Sequence, residues 1–262
     1  MLTVLSSLMS AGVKRLRMFA GPNGSGKTTL IHKFAREFSP SGLFSLHHYI
    51  NADDLFRALQ GDGIRFDRFG LVVNWEQLCE SIIGAGRVPD DHPFFAKGQI
   101  QESRLTAPAN TFDGYMAAAI ADFLRDELLA CGLSISFENV MSHRSKIDFF
   151  ARARSEGYRT YLYFIATDSS EVNRGRVQER VAAGGHDVPE DKIVERYDRC
   201  LKLARHALAH AYRAFIFDNS GSEPIWLAEF DQHGEYALKV SSDSLPKWFH
   251  TWILTPEPPS AP

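Results

Sequence analysis

Short apolar runs alternate with helical stripes along most of the chain. Leu16-Arg17-Met18-Phe19-Ala20 reads as a buried strand, and Thr28 to Phe38 as the helix after it. Ser39-Pro40-Ser41-Gly42 interrupts the pattern. His48-Tyr49-Ile50 then predicts a second strand ending in Asn51-Ala52-Asp53-Asp54, with a helix from Leu55. Asp54 and Asp53 both suit a helix cap, and Asp53 suits equally well a carboxylate at the C-terminal edge of an open sheet, where ligands gather. From 56 to 110 the periodicity fades. Trp75, Leu78, Cys79 and Ile82 mark a helix over Asn74 to Ile83, but the remainder, through Arg87-Val88-Pro89-Asp90-Asp91-His92-Pro93, reads as irregular and polar. A stretch of that length suggests a functional insertion, and His92 within it reads as a surface residue.

Order returns at Asp113. Met116, Ile120, Phe123, Leu124 and Leu128 form one face of a helix that Gly132 closes. Leu133 to Phe137 is a buried strand delivering Glu138 and Asn139 to its C-terminal end. Arg144 to Glu156 is helical, and Thr160 to Ile165 is another strand. Asp168-Ser169-Ser170-Glu171 has the spacing of a capping box before a helix through Arg176 and Arg180, which share a face opposite Val177 and Val181. Ala182-Ala183-Gly184-Gly185-His186-Asp187-Val188-Pro189 breaks that helix, and a second follows with Ile193, Tyr197, Leu201, Ala204 and Leu208 on its core face. Tyr212 to Phe217 is a fifth strand ending at Asp218-Asn219-Ser220-Gly221. Trp226 to Phe230 and Glu235 to Val240 form a hairpin turned at His233-Gly234, and Ser244 to Ile253 a closing amphipathic helix. The expected fold is α/β: a mostly parallel five-stranded sheet with helices on both faces, a helical lid and a C-terminal β-hairpin.

Composition narrows the class only slightly. A chain of 262 residues, 44% hydrophobic and 23% charged, suits one sizeable globular domain, here residues 15–255 with the insertion at about 56–110 and a lid at about 168–211. The net charge of −3 gives no global basic field, which argues against nucleic acid as a partner. The apolar start, residues 1–13, lacks the basic region of a secretory leader and reads as a loose terminus, as does 256–262. No apolar run is long enough to span a membrane. Cys79, Cys131 and Cys200 show no metal or disulfide spacing, so they read as small core residues in a reducing, cytoplasmic setting.

The strongest chemical signal lies between the first strand and the first helix. Gly21-Pro22-Asn23-Gly24-Ser25-Gly26-Lys27-Thr28-Thr29 matches G-x-x-x-x-G-K-[ST], the phosphate-binding P-loop. Its glycines let successive N–H groups converge on a phosphate, with the helix dipole behind them. Lys27 brings a mobile charge to the β- and γ-phosphates, and the Thr28 hydroxyl takes a position on Mg²⁺. Glu138, a strand-end acid in a P-loop sheet, is a second candidate metal ligand. Helix, glycine break and helix with arginines before the last strand is how a nucleoside kinase builds a lid.

Taken together, these landmarks resemble the zeta-toxin-like P-loop kinases, in their chromosomal branch. The resemblance rests on Gly21–Thr29, Asn51-Ala52-Asp53, Phe137-Glu138-Asn139, Arg176 to Val181, Gly184-Gly185-His186-Asp187-Val188-Pro189, Arg196-Tyr197 and Asp218-Asn219-Ser220, over most of 15–221. It implies transfer of a γ-phosphate from ATP or GTP, with Mg²⁺, to a hydroxyl of a small molecule, in the family's toxins UDP-N-acetylglucosamine. By the same carry-over Asp53 is the base, Lys27 holds phosphates and Thr28 the Mg²⁺. Glu138 lies in the acceptor pocket or near the metal, Asn139 beside it where many relatives carry Thr. Arg180 and Arg196 are the lid arginines, with Arg176 as a substitute for either. An antitoxin-like protein is the partner the resemblance suggests. Two other readings keep the P-loop: a kinase for a nucleic-acid end, which needs basic residues clustered on the insertion, and a nucleotide-dependent switch without an acceptor.

Overall fold

The structure, a computed structural model, describes residues 13–38, 45–183 and 188–255. The expected break at Ser39–Gly42, the middle of the one at Ala182–Pro189, and the termini 1–12 and 256–262 lie outside those residues. In chain order the elements are β1 (Arg15–Ala20), α1 (Lys27–Phe38), β2 (His48–Ile50), α2 (Ala52–Gln60), β3 (Ile64–Arg65), α3 (Trp75–Gly84), α4 (Pro93–Lys97), β4 (Gln99–Gln101), β5 (Arg104–Thr106), α5 (Gly114–Ala130), β6 (Ile135–Asn139), α6 (Ser145–Ser155), β7 (Arg159–Ala166), α7 (Ser170–Ala182), α8 (Glu190–Leu208), β8 (Arg213–Asp218), β9 (Ile225–Asp231), β10 (Tyr236–Leu238) and α9 (Lys247–Phe249). Among the described residues no helix is long and apolar enough to cross a membrane.

The chain divides into two compact units, residues 1–40 with 139–262, and residues 41–138. In the first, β7 lies between β1 and β8, parallel to both, with Met18 opposite Leu162 and Phe164 opposite Ile216. These four side chains are fully buried, each burial worth about 1.5–3 kcal/mol. The expected hairpin, β9 and β10, does not stand apart but extends this sheet antiparallel from β8. An aromatic series crosses four strands: Phe19 stacks on Tyr163 at 4.5 Å, Tyr163 on Phe215 at 5.0 Å, and Phe215 leans on Trp226 at 5.9 Å. Along α8 the expected stripe of Ile193, Tyr197, Leu201 and Ala204 is buried and includes Cys200, whose thiol burial pushes up to about 12. The closing helix is shorter than its pattern suggested: α9 widens after Phe249 into a π turn over His250–Leu254.

The second unit pairs β2 with β6 in parallel, Ile50 opposite Phe137. Helix α5 buries Met116, Ile120, Phe123, Leu124 and Leu128 and packs against α2. Asp113 caps it, accepting from the Met116 N–H at 2.9 Å, and Gly132 at φ +70° ends it. Residues 56–110 depart from the expectation of an irregular segment. Beside the expected helix over Asn74 to Ile83, observed as α3, they form a three-stranded antiparallel sheet, in the order β3-β5-β4, and the short helix α4. His92 caps α4, its Nδ1 accepting from the Phe94 N–H at 3.3 Å. Asp122 on α5 pairs with both Arg87 and Arg125, which ties the end of α3's loop to the longest apolar helix of this unit. The cysteine expectation also needs correction. Cys200 is buried, but Cys131, in the turn that ends α5, is exposed, and Cys79, in the middle of α3, is half-buried.

Candidate phosphate-binding loop and its partner residues

Between β1 and α1 the chain has no side chain to spare room for. Gly24 and Gly26 sit at φ +75° and +88°, a region that costs other residues about 1–3 kcal/mol. A Cβ on Gly24 would lie 2.5 Å from the Asn173 carbonyl oxygen, and one on Gly21 2.0 Å from that of Ile165. The loop is thus clamped by backbone on α7 and β7. Gly24→Ala is expected to weaken ATP binding by about 30-fold or more, since neither the dihedral nor the backbone neighbour gives way. Titration calorimetry checks this; affinity within threefold of the unaltered protein would contradict the clamp.

Lys27 begins α1 and is only 7% exposed. Its ammonium donates to the carbonyls of Gly21 at 2.9 Å and Pro22 at 2.8 Å, so the lysine spans its own loop. Thr28 and Thr29, in the first turn, are exposed. Pro22 is buried and Asn23 half-buried at the loop's entry. Ser25 is fully buried, its carbonyl accepting from the Asn219 side-chain amide at 2.8 Å.

The arginines expected on a lid divide by environment. Arg180 is exposed on α7 and Arg196 half-buried on α8. Arg176 is engaged elsewhere: its guanidinium donates to the carbonyls of Asn219 at 2.6 Å and Gly221 at 2.8 Å. Helix α8 is tied to the residue after β7 at Tyr197, whose hydroxyl donates to the Thr167 carbonyl at 2.6 Å. Burial first, and the Asp168 charge second, raise the Tyr197 phenol above its ordinary range. Val177, Val188 and Ile193 pack α7 against α8. The expected capping box does not form, since the N-cap side chain makes no capping hydrogen bond. Ser169, not Asp168, is the N-cap of α7, and the Asp168 N–H instead donates to the Ser220 hydroxyl oxygen at 2.8 Å. Partial burial, then the Asp218 charge, hold the Asp168 carboxyl above its usual value.

In the other unit Asn51 settles how the second strand ends. Its side chain accepts from the Asp53 N–H at 2.8 Å, so α2 starts at Ala52 rather than Leu55, and neither Asp53 nor Asp54 is the cap. Both aspartates lie exposed in the first turn, where the helix dipole favours a carboxylate, and Asp54 pairs with Arg57. Asn51 also reaches Glu138 Oε2 at 3.4 Å, and the Tyr49 hydroxyl donates to the same oxygen at 3.1 Å. Glu138 is therefore a half-buried, hydrogen-bonded carboxylate and not a solvated strand end. Burial and the Glu138 charge push the Tyr49 phenol up, which keeps it a neutral donor. Next to it, both amide atoms of Asn139 are buried without a hydrogen-bond partner among the described residues, an arrangement that costs about 1–3 kcal/mol unless a polar group supplies one. Tyr49 and Asn51 were not recognised as site residues from sequence. The signal for Asn51 was present, an Asx residue two positions before an acidic first turn.

No protein-family model matches the sequence. An uncharacterized protein of Haemophilus influenzae is 31% identical over 65 residues, which are 25% of this chain and 46% of that protein. The structure of AvrRxo1-ORF1:-ORF2 with ATP aligns over 87% of this chain and 61% of its own, at 13% identity and a TM-score of 0.50. A structure from the PezAT chromosomal toxin–antitoxin system of Streptococcus pneumoniae aligns over 84% of this chain and 75% of its own, at 17% identity and a TM-score of 0.44. The chain spans less than two thirds of the first two of these proteins. With its strand–P-loop–helix unit and parallel strand order, the chain has an α/β P-loop fold.

Proposed function

We propose that residues 15–255 act as one kinase domain that transfers the γ-phosphate of ATP or GTP to a hydroxyl of a small molecule, a nucleotide-sugar such as UDP-N-acetylglucosamine. The observation that carries the reading is the P-loop itself: Gly21–Thr29 opening α1 directly after β1, with glycines at positive φ and a buried lysine. The shared fold of a protein solved with ATP supports it. On nucleotide binding Lys27 would exchange the Gly21 and Pro22 carbonyls for phosphate oxygens, a trade of neutral for charge-assisted contacts. The Thr28 hydroxyl and the Glu138 carboxylate are hard oxygen donors of the kind Mg²⁺ takes, and the ion would offset charge on the β- and γ-phosphates.

In the proposed reaction the acceptor oxygen attacks the γ-phosphorus, the bond to the β–γ bridging oxygen breaks, and ADP leaves with that electron pair. Asp53 takes the hydroxyl proton. Glu138, steadied by Tyr49 and Asn51, and the unpartnered Asn139 amide bind the acceptor. Arg180 and Arg196 offset charge on the transferring group, while Arg176 stays on its carbonyl partners. An antitoxin-like protein covering the site is the proposed partner, by analogy with the two-protein ATP complex of the same fold.

The test is incubation with γ-labelled ATP and a panel of nucleotide-sugars, followed by mass analysis. Phosphorylated UDP-N-acetylglucosamine supports the proposal in full. Label on another hydroxyl compound keeps the kinase and replaces the acceptor; release of ADP and free phosphate alone counts against an acceptor of this class.

A further inference from the structure

The segment after β8 plays no part in the chemistry above, yet it is tied down on every side. The Asp218 carboxylate, 7% exposed, accepts from the Trp248 indole N–H at 2.8 Å and from the Ser220 hydroxyl and N–H at 3.0 Å each. The Ser220 oxygen accepts from the Asp168 N–H, and the Asn219 N–H donates to the Ala166 carbonyl at 2.8 Å, continuing the β7–β8 ladder. From α7, Arg176 grips the carbonyls of Asn219 and Gly221. What this scaffold holds in place is one side-chain amide. Asn219 Nδ2 donates to the Ser25 carbonyl inside the P-loop at 2.8 Å, and Gly26 faces it so closely that a Cβ there would be 2.1 Å away.

The consequence follows from the planarity of the peptide. The carbonyl of Ser25 and the N–H of Gly26 belong to one trans unit and point in opposite directions. A donor that holds the Ser25 carbonyl outward therefore aims the Gly26 N–H to the other side, the side on which P-loop amides converge on phosphate. We propose that Asn219 is a positioning residue for nucleotide binding: it fixes the Ser25–Gly26 peptide plane, and Arg176 acts through it. This inference rests on the P-loop binding a nucleotide. It also accounts for the placement of Arg176, whose bonds to the carbonyls of Asn219, Ser220 and Gly221 stiffen the Asn219 loop instead of reaching a phosphoryl group.

The experiment is direct titration of the full chain with ATP and with ADP, beside thermal unfolding of the same proteins. Asn219→Asp keeps the shape but replaces the donor with an acceptor, and Asn219→Ala removes it; each is expected to weaken both nucleotides about five- to tenfold while the unfolding midpoint moves by no more than about 3 °C. Arg176→Lys, which keeps the charge but not the paired grip, is expected to lose about threefold and to add little when combined with Asn219→Ala. Failure of the unaltered protein to bind either nucleotide overturns the nucleotide reading and this inference with it. Wild-type binding with Asn219→Asp within twofold overturns this inference alone, as does an Arg176→Lys effect fully additive with Asn219→Ala. If Asn219→Ala unfolds, Asn219→Asp decides by the same twofold threshold, and the additivity of Arg176→Lys is measured against Asn219→Asp instead.

Discussion

Asp53→Asn is expected to lower the rate of phosphoryl transfer by about 10²- to 10⁴-fold while ATP affinity stays within about twofold. The side chain is exposed in the first turn of α2, and the bond that sets this turn runs from the Asp53 backbone N–H to Asn51, so the amide variant leaves the helix start intact. Only the capacity to accept a proton is removed. Transfer assays with labelled ATP, paired with equilibrium titration, separate the two effects. Unchanged transfer would remove Asp53 from the mechanism, and a parallel loss of ATP binding would make it a nucleotide contact instead.

For Lys27→Met the expected losses fall on both binding and turnover, about 10²- to 10³-fold in kcat/KM, because a charge aimed at the β- and γ-phosphates is worth more as negative charge develops there. Methionine occupies similar volume in a site that is 7% exposed, so the packing beneath the loop is retained. The variant does leave the Gly21 and Pro22 carbonyls without their ammonium donor. A small drop in stability is therefore anticipated as well, and comparing unfolding midpoints keeps it apart from the catalytic loss. Turnover within tenfold of the unaltered protein would contradict the proposed role.

The parallel strands, the P-loop and the α5 and α8 stripes were legible because each has a period long enough to register. Five well-spaced apolar residues on α5 leave little doubt about the face that is buried. Residues 56–110 were illegible for the opposite reason: β3, β4 and β5 are only two or three residues long, too short to display alternation. Their hairpin also turns on Glu102-Ser103, both at positive φ, without the Asn-Gly or Asp-Gly pair that announces such a turn. For the proposed function, residue types named Lys27, Asp53 and Glu138 as candidates, but the contacts of the residues near them came from long range. Tyr49 to Glu138 and Asn219 to Ser25 each join positions far apart in the chain, and no local pattern encodes them. Arg176 shows the limit most clearly, since its spacing from Arg180 placed both on one face and only the coordinates show it bound to carbonyls.

Cys200 gives the helix that carries Arg196 a built-in clock. Its thiol is wholly enclosed and pushed up to about 12, so a thiol reagent reaches it only when α8 leaves the core, whereas Cys131 is open to the same reagent at all times. The ratio of the two alkylation rates, once each is corrected for intrinsic reactivity, measures how often that helix opens. Repeating the measurement with saturating ATP would show whether nucleotide slows the opening, without an added probe or a known acceptor.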